Sequence, residues 1–132
     1  MATRGFISIK HKDNTYSGVY LHWDSYPNGA GKILKEDYQD RTKVVELIDG
    51  GDISSLKTNT TWESTYKDDN YTNTREPQPL YYYERGDEDV YPKHFKTHKQ
   101  MYKYAKDCGC EFLYTYEDSE LDQPKWSYCG IN

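Results

Sequence analysis

Residues 6–23 read FISIKHKDNTYSGVYLHW, and this stretch predicts a β-hairpin. Apolar residues stand at alternate positions in its first six and its last eight residues. A period of two is typical of strands, because successive side chains point to opposite faces. The four residues between the two runs, KDNT, supply turn chemistry. The sequence therefore predicts strands over 6–11 and 16–23 joined by a tight turn.

Two helices are predicted after the hairpin. Residues 24–29 contain Pro, Asn and Gly, which favour a loop. Apolar residues then recur at helical spacing and predict a first helix, at Ala30, Ile33, Leu34 and Tyr38. A second helix is predicted over 41–48, with Asp40 as its N-cap. The glycine pair at 50–51 is expected to end it.

The second half of the chain opens with a long segment that has no clear period. Residues 57–79 are rich in Thr, Asn, Asp and Tyr, and we expect a long loop or irregular insertion there. Beyond it the patterns predict a strand over 80–84, a helix over 95–106 and a closing hairpin of strands over 110–117 and 125–131.

These elements predict a single α+β domain over residues 1–132. Their order is ββαα–β–αββ, and the close hairpins favour an antiparallel sheet with two or three helices on one face. A length of 132 residues fits one domain with one core.

The composition is low in hydrophobic residues and rich in tyrosine. Hydrophobic residues make up 35% of the chain, and 15 of its 132 residues are Tyr. Fifteen tyrosines are too many for one small core, so we expect some on the surface, where Tyr is typical of interfaces. The net charge of −5 argues against a general nucleic-acid binder, because phosphate affinity comes from clustered Lys and Arg.

The N-terminal residues show no hydrophobic signal segment, and no apolar run reaches membrane-spanning length. The odd number of cysteines suits a reducing compartment. We therefore expect a cytoplasmic protein without membrane association.

The cysteines Cys108, Cys110 and Cys129, with His94 and His98, offer ligands that zinc accepts. The usual structural zinc site has two residues between its first pair of cysteines, whereas a single glycine separates this pair. We expect free thiols, no metal and no cofactor.

His22 and Asp24 stand two residues apart at the end of a predicted strand. That spacing points both side chains to one side, where they could act as an acid–base pair. No Ser or Cys nucleophile is tied to them by spacing, so a role as a pocket wall, or a purely structural one, stays open beside catalysis.

A candidate ligand site combines rings that stack on a base with cations that hold phosphates. Its rings are Trp23, Tyr26 and Trp62, its cations are Arg4, Lys32 and Arg85, and His22 and Asp24 complete it. The run GAGK at 29–32 precedes a helix and weakly resembles a phosphate-binding turn, without the full P-loop spacing.

Charge is segregated late in the chain. Residues 93–106 carry five Lys, two His and no acid, whereas residues 107–123 carry six acids and no Lys or Arg. Either a basic helix packs beside an acidic hairpin and the charges offset each other, or the domain has two charged faces. The second interpretation predicts an acidic, tyrosine-rich face for a basic partner, formed by Trp62, Tyr66, Tyr114, Tyr116, Glu117, Asp118, Glu120 and Asp122.

Four stretches carry a family resemblance: MATRG at 1–5, HWDSYP at 22–27, LIDGGDISSL at 47–56 and YYERG at 82–86. Together they resemble a family of small, mostly uncharacterised proteins of bacteriophages and conjugative plasmids, marked by an N-terminal Thr-Arg and a His-Trp-Asp-x-Tyr motif. The family brings no catalytic residues to carry over. The resemblance implies a setting among accessory proteins of mobile elements, many of which disarm host defence.

Three functions are compatible with these patterns. The leading hypothesis is an anti-defence (anti-CRISPR-like) inhibitor that binds a host defence protein, such as a CRISPR effector, in stoichiometric amounts. An alternative is a sponge that sequesters a cyclic nucleotide or an ADP-ribose-type immune signal. A second alternative is a small hydrolase that cuts such a signal with His22 and Asp24. We expect binding rather than catalysis, and a homo-oligomer stays open.

Overall fold

The computed structural model of the chain describes residues 3–56, 80–81, 91–117 and 126–131. Seven strands in these ranges form one sheet: β1 (Gly5–Lys10), β2 (Tyr16–Leu21), β3 (Ile53–Ser55), β4 (Leu80–Tyr81), β5 (Lys93–Phe95), β6 (Phe112–Tyr116) and β7 (Trp126–Gly130). The described helices are α1 (Lys32–Asp37), α2 (Arg41–Asp49) and α3 (His98–Asp107), and a π-helical turn, Pro27–Gly31, leads into α1. None of these helices is long and apolar enough to cross a membrane.

The predicted hairpin is confirmed and forms the centre of the sheet. β1 and β2 pair antiparallel, with Gly5 opposite Leu21 and Lys10 opposite Tyr16. In the turn, the backbone N–H and hydroxyl of Thr15 both donate to Asp13 Oδ1, at 3.1 and 2.6 Å. The second strand ends at Leu21, two residues earlier than predicted.

The sheet is mixed, so the predicted antiparallel sheet is wrong. Its strands follow the order β4–β3–β2–β1–β6–β7, and β5 also pairs with β2. β1 runs parallel to β6, and β2 runs parallel to β3. Parallel neighbours need a crossover connection, and between β2 and β3 that crossover is α1 and α2. An alternating apolar pattern is the same in both kinds of sheet, so the sequence pattern could not tell them apart.

Helices cover both faces of the sheet, whereas one face was predicted. Ile7 and Ile9 of β1 share a core with residues of α1 and α2. Phe6, on the opposite face of β1, packs with Met101 and Ala105 of α3. Its ring makes edge contacts with Phe95 and Tyr104, at centroid distances of 6.0 and 5.7 Å. The two hydrophobic layers make β1 a strand that is buried on both sides.

The predicted element order misses two short strands, β3 and β5. β5 occupies the start of the helix that was predicted over 95–106, because residues 93–95 pair with β2. Thr97 then caps α3 by accepting the N–H of Gln100 at 3.2 Å, so the helix begins at His98. Asp40 is confirmed as the N-cap of α2, where its Oδ1 accepts the N–H of Lys43 at 3.0 Å. The long loop predicted over 57–79, and the part of the predicted strand 80–84 beyond Tyr81, lie outside the described residues.

Candidate functional site

The end of the sheet where β1 begins and β2 ends carries four of the residues that were predicted to bind a ligand. Arg4 directly precedes β1, and His22, Trp23 and Tyr26 follow β2. Trp23 and Tyr26 are exposed large hydrophobic side chains, at 45% and 42%. We refer to Arg4, His22, Trp23 and Tyr26 as the loop-end surface.

Ser25 anchors the backbone beneath this surface. The residue is fully buried, and its N–H donates to the Thr3 carbonyl at 3.0 Å. Its hydroxyl donates to the Leu21 carbonyl at 3.3 Å. Its own carbonyl accepts the hydroxyl of Tyr114 at 2.5 Å. The loop is therefore tied to the segment before β1, to β2 and to β6, so Trp23 and Tyr26 stand on an anchored backbone.

Gly5 lets the start of β1 pass close to this anchor. A Cβ at Gly5 would lie 2.6 Å from the Cβ of Ser25, which no pair of side chains tolerates. On the other side of the loop, Asp24 adopts a left-handed backbone with φ of 59°. That conformation ends the strand alternation, so the spacing rule that put His22 and Asp24 on one side does not extend to Asp24.

His22 makes its contacts with aromatic neighbours. Its Nδ1 lies 2.7 Å from the hydroxyl of Tyr20, and its ring meets Trp23 edge-on at a centroid distance of 4.8 Å. Burial lowers the pKa of His22, and the nearby Arg4 guanidinium lowers it further. At neutral pH the imidazole is therefore uncharged, and Arg4 is the cation of the loop-end surface.

Asp52 directly precedes β3, and its Oδ1 accepts the N–H of Tyr20 in β2 at 3.0 Å. Burial raises the pKa of Asp52, although this hydrogen bond and the charge of Lys93 act in the opposite direction. The carboxylate thus fixes the strand that carries Tyr20, and it remains partly shielded from solvent.

The glycine-rich turn does not form the predicted phosphate site. The N–H of Gly29 donates to the Tyr26 carbonyl and the N–H of Ala30 to the Asp24 carbonyl, both at 2.9 Å. The N–H of Lys32 donates to the Gly29 carbonyl. These amides are therefore engaged within the turn, and Lys32 is an exposed side chain at the start of α1.

The three cysteines form no disulfide bond. Burial is the main cause that raises the pKa of each, and the pKa of Cys110 reaches about 12. Little thiolate is present at neutral pH, so these groups are weak nucleophiles. In the part of the chain that the structure describes, no group of three or more His, Cys, Asp or Glu side chains is arranged to hold a metal ion.

The predicted acidic face needs a correction at two tyrosines. Tyr114 and Tyr116 are 2% and 0% exposed, because their side of β6 packs against α1 and α2. They belong to the core and offer no ring to a partner. Glu117 is exposed and pairs with Lys10 at 3.3 Å. The other residues of that face, Trp62, Tyr66, Asp118, Glu120 and Asp122, and Arg85 of the ligand site, lie outside the described residues.

A polar pocket at the opposite end of the hairpin was missed by the sequence patterns. The hydroxyl oxygen of Ser17 lies 2.7 Å from His11 Nε2 and 2.7 Å from His94 Nδ1. His11 and His94 are far apart in sequence and belong to no motif. The tertiary pairing of β2 with β5 brings His94 opposite Ser17.

No protein-family model matches the chain, and neither a curated protein nor a solved structure does. The resemblance to proteins of mobile elements therefore stays a prediction, and the functional proposals rest on the geometry of the described residues.

Proposed function

We propose that the protein works by binding, and that the loop-end surface holds a ligand of the nucleotide class. The observation that supports the proposal is the pair of exposed rings, Trp23 and Tyr26. Arg4 is near enough to the same loop for its charge to lower the pKa of His22. Covering an exposed Trp or Tyr with a ligand removes apolar surface from water while the polar edge stays hydrogen-bonded.

Each member of the surface has a distinct role in this proposal. Trp23 and Tyr26 stack on a base, an interaction worth about 1–3 kcal/mol per base. Arg4 pairs with phosphate oxygens through two N–H groups. When Tyr20 donates to Nδ1 of neutral His22, the remaining proton sits on Nε2, where it can donate to a ligand oxygen.

The anchored backbone supports binding with little ordering cost. Ser25 is held by Thr3, Leu21 and Tyr114, so the rings on either side of it are already positioned before a ligand arrives. A surface that is ordered in advance loses less conformational entropy on binding.

In the setting implied by the family resemblance, such a protein is a sponge. It sequesters a cyclic nucleotide or ADP-ribose-type immune signal without changing it, and so protects a mobile element from host defence.

The second candidate function is stoichiometric inhibition of a host defence protein, the leading hypothesis from the sequence. Trp, Tyr and Arg are the residue types most enriched at interface hot spots, and the loop-end surface contains all three. Glu117 pairs with Lys10 at the opposite end of β1, so its contact with a basic partner would be separate from the loop-end surface.

Isothermal titration calorimetry with cyclic dinucleotides, cyclic mononucleotides and ADP-ribose derivatives tests the proposal. We expect one-site binding to at least one of them, and an affinity loss of about 5- to 150-fold in Trp23→Ala, as expected for one stacking contact. Tyr91→Ala is the matched control, because Tyr91 is a ring that is 74% exposed and does not belong to the loop that carries Trp23 and Tyr26.

The outcomes separate the candidate functions. Chromatography must recover the bound nucleotide unchanged, since its consumption would favour the hydrolase instead. The inhibitor hypothesis is favoured over the sponge if no nucleotide of the panel binds, and if the wild-type protein binds one host defence protein that the Trp23→Ala variant does not bind. If no nucleotide binds, and wild type and Trp23→Ala bind the defence protein equally, the loop-end surface is rejected as the site of either function.

A further inference from the structure

The hairpin-end pocket has the composition of a small reaction site. It is a cavity of about 240 Å³, with Ile9, Val45 and Ile48 among its apolar walls. Ser17 and its two histidines supply convergent polar groups. Apolar walls with a few convergent polar groups are typical of sites that take small molecules. Ser17 is only 6% exposed, whereas His94 is exposed at the edge of the sheet.

Arg41 sets the direction of the hydrogen bonds around Ser17. Its Nη2 lies 3.4 Å from His11 Nδ1, and a guanidinium can only donate, so Nδ1 is the acceptor. Neutral His11 then carries its proton on Nε2 and donates it to the Ser17 hydroxyl oxygen. That leaves the Ser17 proton to point at His94 Nδ1, 2.7 Å away.

This arrangement meets the geometric requirement for an activated nucleophile, in which a hydroxyl lies within hydrogen-bond reach of a base. We propose that the hairpin-end pocket is a serine hydrolase site, in which Ser17 is the nucleophile and His94 the general base. His11 donates to Ser17 Oγ while that oxygen gives up its proton to His94, and a hydrogen bond to the charged form favours that form. Arg41 is a positioning residue, because it holds His11 in the donating tautomer.

The reaction is ordinary acyl transfer to water. Ser17 Oγ bonds to the carbonyl carbon of an ester as its proton passes to His94 Nδ1. The bond from that carbon to the alcohol oxygen then breaks, and the alcohol leaves with the proton from His94. A water molecule, deprotonated by His94, attacks the acyl-serine, and the acid and the free Ser17 hydroxyl are regenerated.

The pocket favours a neutral substrate with a short acyl chain. Asp49 lines the cavity at the C-terminal end of α2, where the helix dipole adds negative charge. The positive charge of Arg41 beside His11 offsets these negative charges, so the pocket has no strong preference for a charged group. The apolar walls and small volume suit an acyl group of a few carbons, so we assign short-chain carboxylic esters as the substrate class.

The site is independent of the proposed nucleotide surface. Ser17 and His22 lie five residues apart on an extended chain, about 17 Å at 3.3 Å per residue. Failure of one site therefore leaves the other untouched.

Incubation of the protein with a fluorophosphonate probe, followed by intact-mass and peptide-mass analysis, tests the nucleophile directly. We expect one adduct, on Ser17, which Ser17→Ala abolishes. Loss of a general base typically costs about 100-fold or more, so we expect His94→Gln to slow labelling and p-nitrophenyl acetate hydrolysis by about that factor. Ser127→Ala is the control, because Ser127 is an exposed serine on β7 outside the pocket.

Two further measurements keep the result interpretable. Circular dichroism and thermal melting show that His94→Gln retains its fold. Arg41→Lys, which keeps a donor beside His11, should retain more labelling than Arg41→Gln, whose amide can accept and so permits the other tautomer. No adduct on folded wild type, an adduct on another residue, or labelling that His94→Gln leaves unchanged overturns the proposal.

Discussion

Tyr114→Phe tests the link between the core and the loop-end surface with the loss of a single atom. The Tyr114 ring is in the core, and its hydroxyl donates to the Ser25 carbonyl at 2.5 Å, at a residue that is fully buried. Burial raises the pKa of Tyr114 well above the usual range of tyrosine, so the hydroxyl keeps its proton and remains a donor. Phenylalanine keeps the ring packing and removes the hydroxyl, and with it the bond to Ser25 and the interaction with the Gly31 backbone.

The expected cost follows from the partner that is left behind. A buried acceptor that loses its donor costs about 1–3 kcal/mol, because no water replaces the lost bond. For a domain of this size, roughly 3–6 °C of melting temperature is lost for each kcal/mol. Urea titration followed by tryptophan fluorescence measures the free energy of unfolding, and a melting curve gives the second value.

Tyr128→Phe is the matched control for Tyr114→Phe. Its ring lies 5.7 Å from that of Tyr114, centroid to centroid, but the residue is 50% exposed. Water can replace any bond of its hydroxyl, so we expect a change within about 0.5 kcal/mol, as for other surface substitutions. The reasoning is refuted if Tyr114→Phe unfolds with the wild-type free energy, or if Tyr128→Phe costs as much.

Two more substitutions probe the α3 side of the sheet. Gly18→Ala should cost about 1–3 kcal/mol or more in urea unfolding, because its Cβ would lie 2.3 Å from Phe6 Cε2 and 2.8 Å from the Ile7 carbonyl oxygen. Gly130→Ala, whose Cβ would meet its nearest atom at 4.0 Å, should stay near wild type, and equal losses would contradict the packing. Burial raises the pKa of the Asp52 carboxyl in the folded state, so the folded protein binds the carboxyl proton more tightly than the unfolded chain does. The free energy of unfolding therefore falls as pH rises from the ordinary Asp pKa through the folded pKa. Asp52→Asn should therefore be at least as stable as wild type at pH 7, and the difference in unfolding free energy should shrink toward pH 4. A variant that is less stable than wild type at pH 7 would contradict the raised pKa of Asp52. A stability difference that does not depend on pH would contradict it as well.

The two ends of the central hairpin divide the proposed functions of the molecule. One end presents exposed rings and a guanidinium on an anchored loop, and the other encloses a serine between two histidines. Both depend on β2, which pairs with β1 along its whole length and with β5 only near Ser17. A substitution that shifts the β2–β5 register would disturb the hairpin-end pocket while leaving Trp23 and Tyr26 in place.

The sequence alone determined those elements that depend on interactions between residues a few positions apart. Alternating apolar residues around KDNT specify the β1–β2 hairpin, because a tight turn brings its two runs together without help from the rest of the chain. Asp40 specifies the start of α2, because a capping side chain acts on an N–H three residues away. The position of Trp23 and Tyr26 just after this hairpin follows for the same reason, whereas their role in binding stays a prediction.

Tertiary structure decided every feature that depends on which strands become neighbours. Tyr114 was expected on a surface and is buried, because parallel pairing of β6 with β1 places it beneath the loop at Ser25. β5 was not predicted, and its last residue, Phe95, was placed in a helix, because residues 93–95 form a strand only through their partner β2. His94 reaches Ser17 across 77 residues of sequence, and nothing near either residue marks the pair. The pattern of side chains within a strand shows only which of its residues are apolar. The identity and direction of the neighbouring strand are set by the packing of helices on both faces of the sheet.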